Sequence, residues 1–389
     1  MDYIPRLMEA AIDNLETHFP VIVITGPRQS GKTTLARNKY PNLPYYSFEN
    51  PDIRMMALND PRAFLKNVPE GAILDEVQHV PDLLSYLQQI IDENREKALF
   101  ILTGSNQFML MNKVTQSLAG RAAILKLLPL CLKELSETNE IPTSELIFNG
   151  FYPAIYSYKS NPTITYRNYY ETYLARDLRQ LIQIKDLSLF QKFIRICAGR
   201  TGNLFNASAI ASETGVSVTT ITSWISILEA SFVVMLLQPY YANNNKRLIK
   251  SPKLYFYDTG LACYLLGIEN TIQLSRDPLY GALFENMVIM DAVKRRFNEG
   301  FDHNMFFYRD SHHSEIDLVY QKANELIPIE IKSSQTYHPD FLKGLRRFSS
   351  IYHDRIPKSF LVYDGDMEIK QNGPEIVNFR NISSKLFED

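Results

Sequence analysis

The hydrophobic pattern of the first hundred residues alternates between short apolar runs and helical spacings. The β-branched run Val21–Ile24 predicts a strand buried on both faces, and residues 45–48, 72–74 and 98–102 predict further strands. Apolar residues at helical spacing lie before and between these runs: Leu7, Ala10, Ala11 and Leu15, then Leu83, Leu84, Leu87, Ile90 and Ile91. Strands alternating with helices predict a doubly wound α/β domain with its site at the carboxyl edge of a parallel sheet.

A glycine-rich turn follows the first strand. Gly26 and Gly31, separated by four residues, let the backbone fold around a phosphate. Lys32 can then meet the β- and γ-phosphates, and the Thr33 hydroxyl can ligate Mg²⁺. A chance turn is the alternative, but a strand precedes this one and a helical run follows it. The sequence therefore predicts a nucleotide site formed by Gly26, Pro27, Arg28, Gln29, Ser30, Gly31, Lys32, Thr33 and Thr34.

Polar residues end the next two apolar strands. Asp75 is predicted to support Mg²⁺ and Glu76 to orient or deprotonate the attacking water, although a helix start would also favour acids. Ser105 and Asn106 can contact the γ-phosphate, or form an ordinary turn. Arg121 is a candidate arginine finger or sensor, in its own subunit or a neighbouring one, or an ordinary surface arginine.

Length and composition limit the number of domains and the class of protein. A chain of 389 residues predicts two to four domains, and a net charge of −2 gives no overall attraction to nucleic acid or membrane. Cys131, Cys197 and Cys263 lie far apart and are expected to be core thiols. The sequence contains no apolar stretch of membrane-spanning length and no signal-peptide profile at its start, so we expect a cytoplasmic protein.

Several short motifs along the chain resemble those of one protein family. Besides the four given next, matching segments lie at 149–153, 169–177 and 253–261. Gly-Pro-Arg-Gln-Ser-Gly-Lys-Thr-Thr-Leu, Leu-Asp-Glu-Val-Gln, Leu-Thr-Gly-Ser and Leu-Ala-Gly-Arg resemble the AAA-type P-loop ATPases of the archaeal-ATPase-like group, whose C-terminal half has no known function. The resemblance covers nearly the whole chain. It implies ATP as the ligand, with Lys32, Thr33, Asp75 and Glu76 at the motif positions, and leaves the physiological task open.

Residues 131–185 are rich in tyrosine and proline and predict a helical bridge or lid over the ATP site, with a helix over 165–182. The next segment, 186–270, predicts a winged helix. Ala211, Gly215 and Ile221 stand where a helix-turn-helix needs a small residue, a turn glycine and a core aliphatic residue. Strands over 232–239 and 254–257 would form the wing.

The predicted winged helix is locally basic. Between residues 190 and 255, Glu213 and Glu229 oppose seven basic residues: Lys192, Arg195, Arg200, Lys246, Arg247, Lys250 and Lys253. A local excess of positive charge is expected of a DNA-contacting module. The candidate recognition helix, however, offers serine and threonine where base readout favours arginine, asparagine or glutamine. Non-specific contact with the DNA backbone and a purely structural winged helix both remain open.

Residues 271–389 contain a second chemical pattern. Glu285 lies on a predicted helix, Asp317 on a strand, and Glu330-x-Lys332 on the next strand. This order resembles the PD-(D/E)xK nuclease core, which implies Glu285, Asp317 and Glu330 as metal ligands and Lys332 as the group that orients water or stabilises charge. Charge alternation on a half-exposed strand is the alternative.

These segments predict an AAA-type ATPase domain (1–130), a helical bridge (131–185), a winged helix (186–270) and a restriction-endonuclease-like α/β domain (271–389). In the first of two functional hypotheses, Mg-ATP drives a C-terminal half that acts on DNA. In the second, the protein is a nucleotide-controlled switch that recruits a protein partner, and its nuclease-like domain is inactive. An oligomer is compatible with both.

Overall fold

The computed structural model describes residues 3–93, 99–105, 113–135, 138–174, 187–241, 251–310, 314–370 and 373–387, with only the backbone at position 174. The N-terminal part is built on a parallel sheet with strand order β2-β3-β4-β1-β5. Its strands are β1 (Val21–Thr25), β2 (Tyr45–Ser47), β3 (Gly71–Asp75), β4 (Leu99–Gly104) and β5 (Ala122–Lys126). The predicted α/β architecture is confirmed. The strand β5 was not predicted.

Helices cover both faces of this sheet, which is why its central strands are apolar throughout. Val21 and Val23 face one core, while Ile22 and Ile24 face the other. The helices are Met8–Glu16, Lys32–Lys39, Pro51–Asn59, Pro61–Lys66 and Leu83–Glu93. Alternate residues of one strand point to opposite faces, so a continuous apolar run serves both layers.

The middle of the chain is mostly helical. Three helices (Thr143–Asn149, Pro153–Ser157 and Pro162–Tyr169) lead into a π-helix at Tyr170–Leu174. The predicted helix over 165–182 is therefore only partly within the described residues. Three further helices precede an antiparallel hairpin: Leu187–Ala198, Ala207–Thr214 and Val218–Ala230, then β6 (Val234–Leu237) and β7 (Lys253–Phe256). The helices Thr259–Leu265 and Thr271–Ser275 follow.

A mixed sheet with strand order β12-β11-β10-β9-β8 forms the C-terminal part. Its strands β8 (Met305–Arg309), β9 (Glu315–Lys322) and β10 (Glu325–Lys332) are antiparallel, while β11 (Phe360–Tyr363) and β12 (Glu375–Asn378) continue from β10 in parallel. The helices are Tyr280–Asn298, Lys343–Tyr352 and Ile382–Phe387. Short 3₁₀ turns lie at Val77–His79, Leu132–Glu134, Pro339–Leu342, His353–Arg355 and Phe379–Asn381.

The helix Tyr280–Asn298 lies at the centre of the molecule. One continuous apolar core surrounds it and includes residues from Leu128 to Leu386. Within this core Asn286 is fully buried, donates to the Phe256 carbonyl (2.7 Å), and accepts from the Phe256 N–H (2.7 Å) and the Thr201 hydroxyl (2.8 Å). The segments that the sequence divides into bridge, winged helix and C-terminal domain therefore share one core.

Replacing Asn286 with alanine should destabilise this core. The substitution leaves the buried N–H and carbonyl of Phe256 without these partners, which costs about 2–5 kcal/mol for the two groups together. Urea unfolding should show that loss. Thr201→Val is the matched control because it removes one neutral bond, worth about 1 kcal/mol. Equal stability of Asn286→Ala and the unmodified chain would contradict the assignment.

Candidate functional site

The glycine-rich turn between β1 and the helix Lys32–Lys39 has the backbone geometry of a phosphate cradle. Gly26 has φ +148°, and a Cβ there would lie 2.1 Å from the carbonyl oxygen of Leu127. Gly31, with φ +94°, starts the helix. Only glycine fits at position 26, so the chain packs closely at the point where a phosphate would enter.

Lys32 lies inside this cradle and is only 5% exposed. Its Nζ donates to the carbonyl oxygens of Gly26 (3.1 Å) and Pro27 (2.8 Å). Burial lowers the pKa of Lys32 to about 8, although the negative charges of Glu76 and Asp75 oppose this shift. The ammonium is thus desolvated and held by weak neutral acceptors, which phosphate oxygens can readily replace.

Asp75 ends β3 opposite the cradle. Both of its carboxylate oxygens lie 3.1 Å from the Thr33 hydroxyl, and Oδ2 also accepts from the Tyr45 hydroxyl at 2.7 Å. The Thr103 hydroxyl donates to Oδ1. Hydroxyl and carboxylate oxygens are the donors that Mg²⁺ prefers, so Thr33 and Asp75 fit that ion. Tyr45 and Thr103 were not predicted, although each stands on a strand that leads to this edge.

Glu76 adopts a left-handed backbone conformation with φ +56°, which is uncommon outside glycine and concentrates at functional positions. Its Oε2 accepts from the N–H (3.2 Å) and the hydroxyl (3.0 Å) of Ser105, and from the Gln78 amide. Burial opposes ionisation, but Lys32 and these donors outweigh it and lower the pKa of Glu76. Ser105 thus contacts Glu76, while Asn106 lies outside the described residues.

A cavity of about 480 Å³ opens over the cradle. Part of its wall comes from outside the motifs, because Tyr3 and Ile4 lie on one side and the helix Pro153–Ser157 on another, with Tyr158 beside it. The segment predicted as a bridge or lid therefore supplies part of this wall. Tyr3 and Ile4 were not predicted because no motif marks them.

A buried ion pair lies beside the cradle, and its arginine also lines the cavity. Arg6 is 5% exposed, and its guanidinium donates to Glu134 (3.0 Å) and to the carbonyl oxygens of Ser30 (2.8 Å) and Leu128 (2.8 Å). Glu134 also accepts from the Asn298 amide at 3.2 Å. This contact links the cradle to the central helix. The sequence offered no signal for it, because its partners are more than a hundred residues apart.

Arg121 does not reach this cavity in its own chain. It precedes β5, whose first residue Ala122 pairs with Val21 at the start of β1, so Arg121 lies at the amino edge of the sheet. There it forms a two-pronged ion pair with Asp92 (2.6 and 2.8 Å). A role for Arg121 within its own subunit is therefore corrected, and a role in a neighbouring subunit stays a prediction.

The C-terminal residues form a separate cluster. Lys332 Nζ lies 2.6 Å from Glu330 and 3.5 Å from Asp317, while Glu285 meets Lys253 of β7 at 3.2 Å. In the part of the chain that the structure describes, no three side chains of the His, Cys, Asp and Glu types are placed to hold one metal ion. Lysine ammonium groups contact these carboxylates, and the metal site predicted at Glu285, Asp317 and Glu330 stays a prediction.

The parallel sheet, the phosphate cradle and the facing acidic pair define a class of protein. They form a P-loop ATPase domain, and the AAA domain family matches residues 18–136. Two further families match the rest of the chain: the domain of unknown function DUF8612 over 142–272 and the domain of unknown function DUF4143 over 280–382.

Relatives extend this assignment to the whole chain. The uncharacterized protein Rv2008c of Mycobacterium tuberculosis is 30% identical over 351 residues, which cover 89% of this chain and 77% of that protein. An uncharacterized Haemophilus influenzae protein is 21% identical over 360 residues, covering 83% of this chain and 85% of its own length. The chain belongs to the same family of AAA-type P-loop ATPases as the mycobacterial protein.

Among solved structures, the Walker-type ATPase PABY2304 of Pyrococcus abyssi covers 66% of this chain and 94% of its own, with 13% identity and a TM-score of 0.47. A likeness at this level carries no functional argument. Across the described ranges no helix is long and apolar enough to cross a membrane.

The lowered pKa of Lys32 predicts a pH dependence of ATP binding. Phosphates favour the charged lysine, so binding is strongest below pH 8 and weakens as the free site loses this proton, by about tenfold for each pH unit well above the pKa. Calorimetry in buffers of different ionisation enthalpy should detect proton uptake near pH 9. Lys39→Gln, at the other end of the same helix and outside the cavity lining, should keep this profile. A flat profile for the unmodified chain would contradict it.

Proposed function

We propose that this protein is a Mg-ATP-controlled switch, in which nucleotide binding and hydrolysis at the N-terminal site change how the C-terminal half engages a protein partner. The single observation that carries the proposal is the direct contact between the central helix Tyr280–Asn298 and the segment 128–134. That segment includes Leu130, which lines the nucleotide cavity.

The chemistry of the switch follows from the N-terminal site. The backbone N–H groups of Gly26–Thr33 and the Lys32 ammonium bind and orient the phosphates. Thr33 and Asp75 would hold Mg²⁺, which when bound neutralises charge on the phosphate oxygens. Glu76, kept ionised by its donors, accepts a proton from the attacking water. Ser105 positions that carboxylate, and we expect it to respond to the γ-phosphate through Glu76.

Three polar side chains of the central helix provide the coupling. Lys294 donates to the Leu130 carbonyl oxygen (3.0 Å), Asp291 accepts from the Leu132 N–H (2.7 Å), and Asn298 donates to Glu134 (3.2 Å). All three side chains are buried. When nucleotide binding shifts the cavity wall, the central helix therefore either moves with it or resists the shift. The C-terminal sheet packs on this helix.

The three helices and hairpin of residues 187–256 have the element order of a winged helix, and their surface favours a protein partner. The exposed positions of the helix Val218–Ala230 carry no charge; they are Val218, Thr219, Thr222, Ser223 and Ser226. Lys253 is buried, and Arg200 is paired with Glu213. Backbone contact with DNA needs exposed cations, and this helix face offers none.

Action on DNA is the second candidate, and one observation favours it. Lys192 and Arg195 line a shallow cavity on the helix Leu187–Ala198, together with Ser188 and Gln191. Lysine and arginine spaced along one helix face suit non-specific contact with phosphates. Lys246, Arg247 and Lys250, which the sequence analysis counted in the basic footprint, lie outside the described residues.

Two substitutions test the ATPase chemistry. Lys32→Ala should abolish ATP binding, because it removes the cation that meets the phosphates. Glu76→Gln should bind ATP like the unmodified chain but hydrolyse it at least about a hundredfold more slowly, since the general base is lost. Fluorescent-nucleotide titration and phosphate release give the two readouts. Unchanged hydrolysis in both variants would overturn the assignment.

The output is tested with Glu76→Gln held in its ATP-bound form. A switch predicts a change of assembly state or conformation between ATP and ADP, visible by light scattering and X-ray scattering without DNA. A gel shift at physiological salt tests the second candidate. An ATP-dependent shift that Lys192→Ala with Arg195→Ala removes would favour DNA over a protein partner.

A further inference from the structure

Two parts of the chain converge on one buried charge cluster. Lys253 is the first residue of β7, within the region matched by DUF8612, whereas Glu285, Glu315, Asp317 and Glu330 lie within or beside the C-terminal sheet matched by DUF4143. Lys253 is only 3% exposed. An ammonium from one part of the chain therefore lies inside an acidic cluster built by another.

The contacts of Lys253 are close and directed at carboxylates. Its Nζ lies 2.5 Å from Glu315 Oε1 and 3.2 Å from Glu285 Oε1, and 5.7 Å from the centre of the Phe307 ring. Tyr255, two residues further along β7, donates its hydroxyl to the same Glu285 oxygen. Both contacts from the strand β7 are thus to Oε1 of Glu285, a carboxylate that the nuclease-like pattern assigns to a metal.

A second lysine contacts the other half of the cluster, where Glu330 Oε2 is buried and has no hydrogen-bond partner among the residues that the structure describes. Lys332 contacts Glu330 Oε1 (2.6 Å) and Asp317 Oδ2 (3.5 Å), and Asp317 Oδ2 also accepts from the Ile331 N–H at 2.8 Å. The burial of Glu285 and Glu330, together with the charge of Asp317, raises the pKa of both, while the lysines oppose that shift. Buried carboxylates at this density need such cations close by.

The geometry points to Lys253 as the resident cation of this cluster: its ammonium takes the place between Glu285 and Glu315 that a divalent ion would need, excludes that ion, and fastens the hairpin β6–β7 to the C-terminal sheet. Removing the ammonium while leaving the oxygens in place would expose a hard, oxygen-rich pocket suited to Mg²⁺ or Mn²⁺. This inference does not depend on the ATPase chemistry, and it explains why the nuclease-like pattern lacks a metal-holding set.

The test is a gain of metal binding. Without nucleotide, Mn²⁺ should leave the thermal midpoint of the unmodified chain unchanged. Lys253→Ala should unfold at a lower temperature, because Glu285 and Glu315 lose their counter-charge, and Mn²⁺ should restore part of that loss by binding the folded state. Lys253→Ala with Glu285→Gln should not respond, since one ligand is gone. A folded Lys253→Ala protein that shows no Mn²⁺ response would overturn the proposal.

A second measurement decides the case even if Lys253→Ala does not fold. Calorimetric Mn²⁺ titrations of the unmodified chain and of Glu285→Gln should give the same heats, because the cluster takes up no metal while Lys253 is present. Mn²⁺ binding by the unmodified chain that Glu285→Gln abolishes would overturn the proposal. Asp75→Asn serves as the control for metal bound in the nucleotide site, because Asp75 is the carboxylate assigned to the metal there.

Discussion

The burial of charge around the ion pair of Arg6 and Glu134 is the constraint on which the rest of the structure depends. A desolvated guanidinium and carboxylate need hydrogen-bond partners close by, and the partners of this pair lie on four separate segments. The pair contacts the phosphate cradle at Ser30, the segment after β5 at Leu128, and the central helix at Asn298.

The polar side chains of the nucleotide site form hydrogen bonds with one another and with their own loop. Lys32 donates to carbonyl oxygens of its own loop, Thr33 donates to Asp75, and Glu76 accepts from Ser105. In the proposed switch, Mg-ATP replaces internal contacts of Lys32 and Thr33 with contacts to the ligand. The proposed path to the C-terminal half is the central helix, whose buried polar residues contact the segment 128–134 and whose apolar residues share a core with the C-terminal sheet.

In the C-terminal cluster, the sequence pattern predicts metal ligands, whereas the folded chain also brings a lysine from another segment to these carboxylates. Asp317, Glu330 and Lys332 have the spacing of a nuclease core, and the strands β9 and β10 bring them together as alternation predicts. Lys253 comes from a hairpin more than sixty positions away along the chain. Its ammonium contacts Glu285 and Glu315, while Lys332 contacts Glu330 and Asp317, so two lysine cations already lie among these carboxylates.

The parallel α/β domain and the residues of its nucleotide site could be predicted from short stretches of sequence. Apolar strand runs, glycine spacing and polar strand ends act locally, and the predicted positions of Lys32, Thr33, Asp75 and Glu76 follow from them. No such stretch predicts that Arg6 and Glu134 pair, that Pro153–Ser157 lines the cavity, that Arg121 lies at the opposite edge of the sheet, or that Lys253 enters the acidic cluster. These contacts join residues from distant segments, and no periodicity or local motif records which segments pack together.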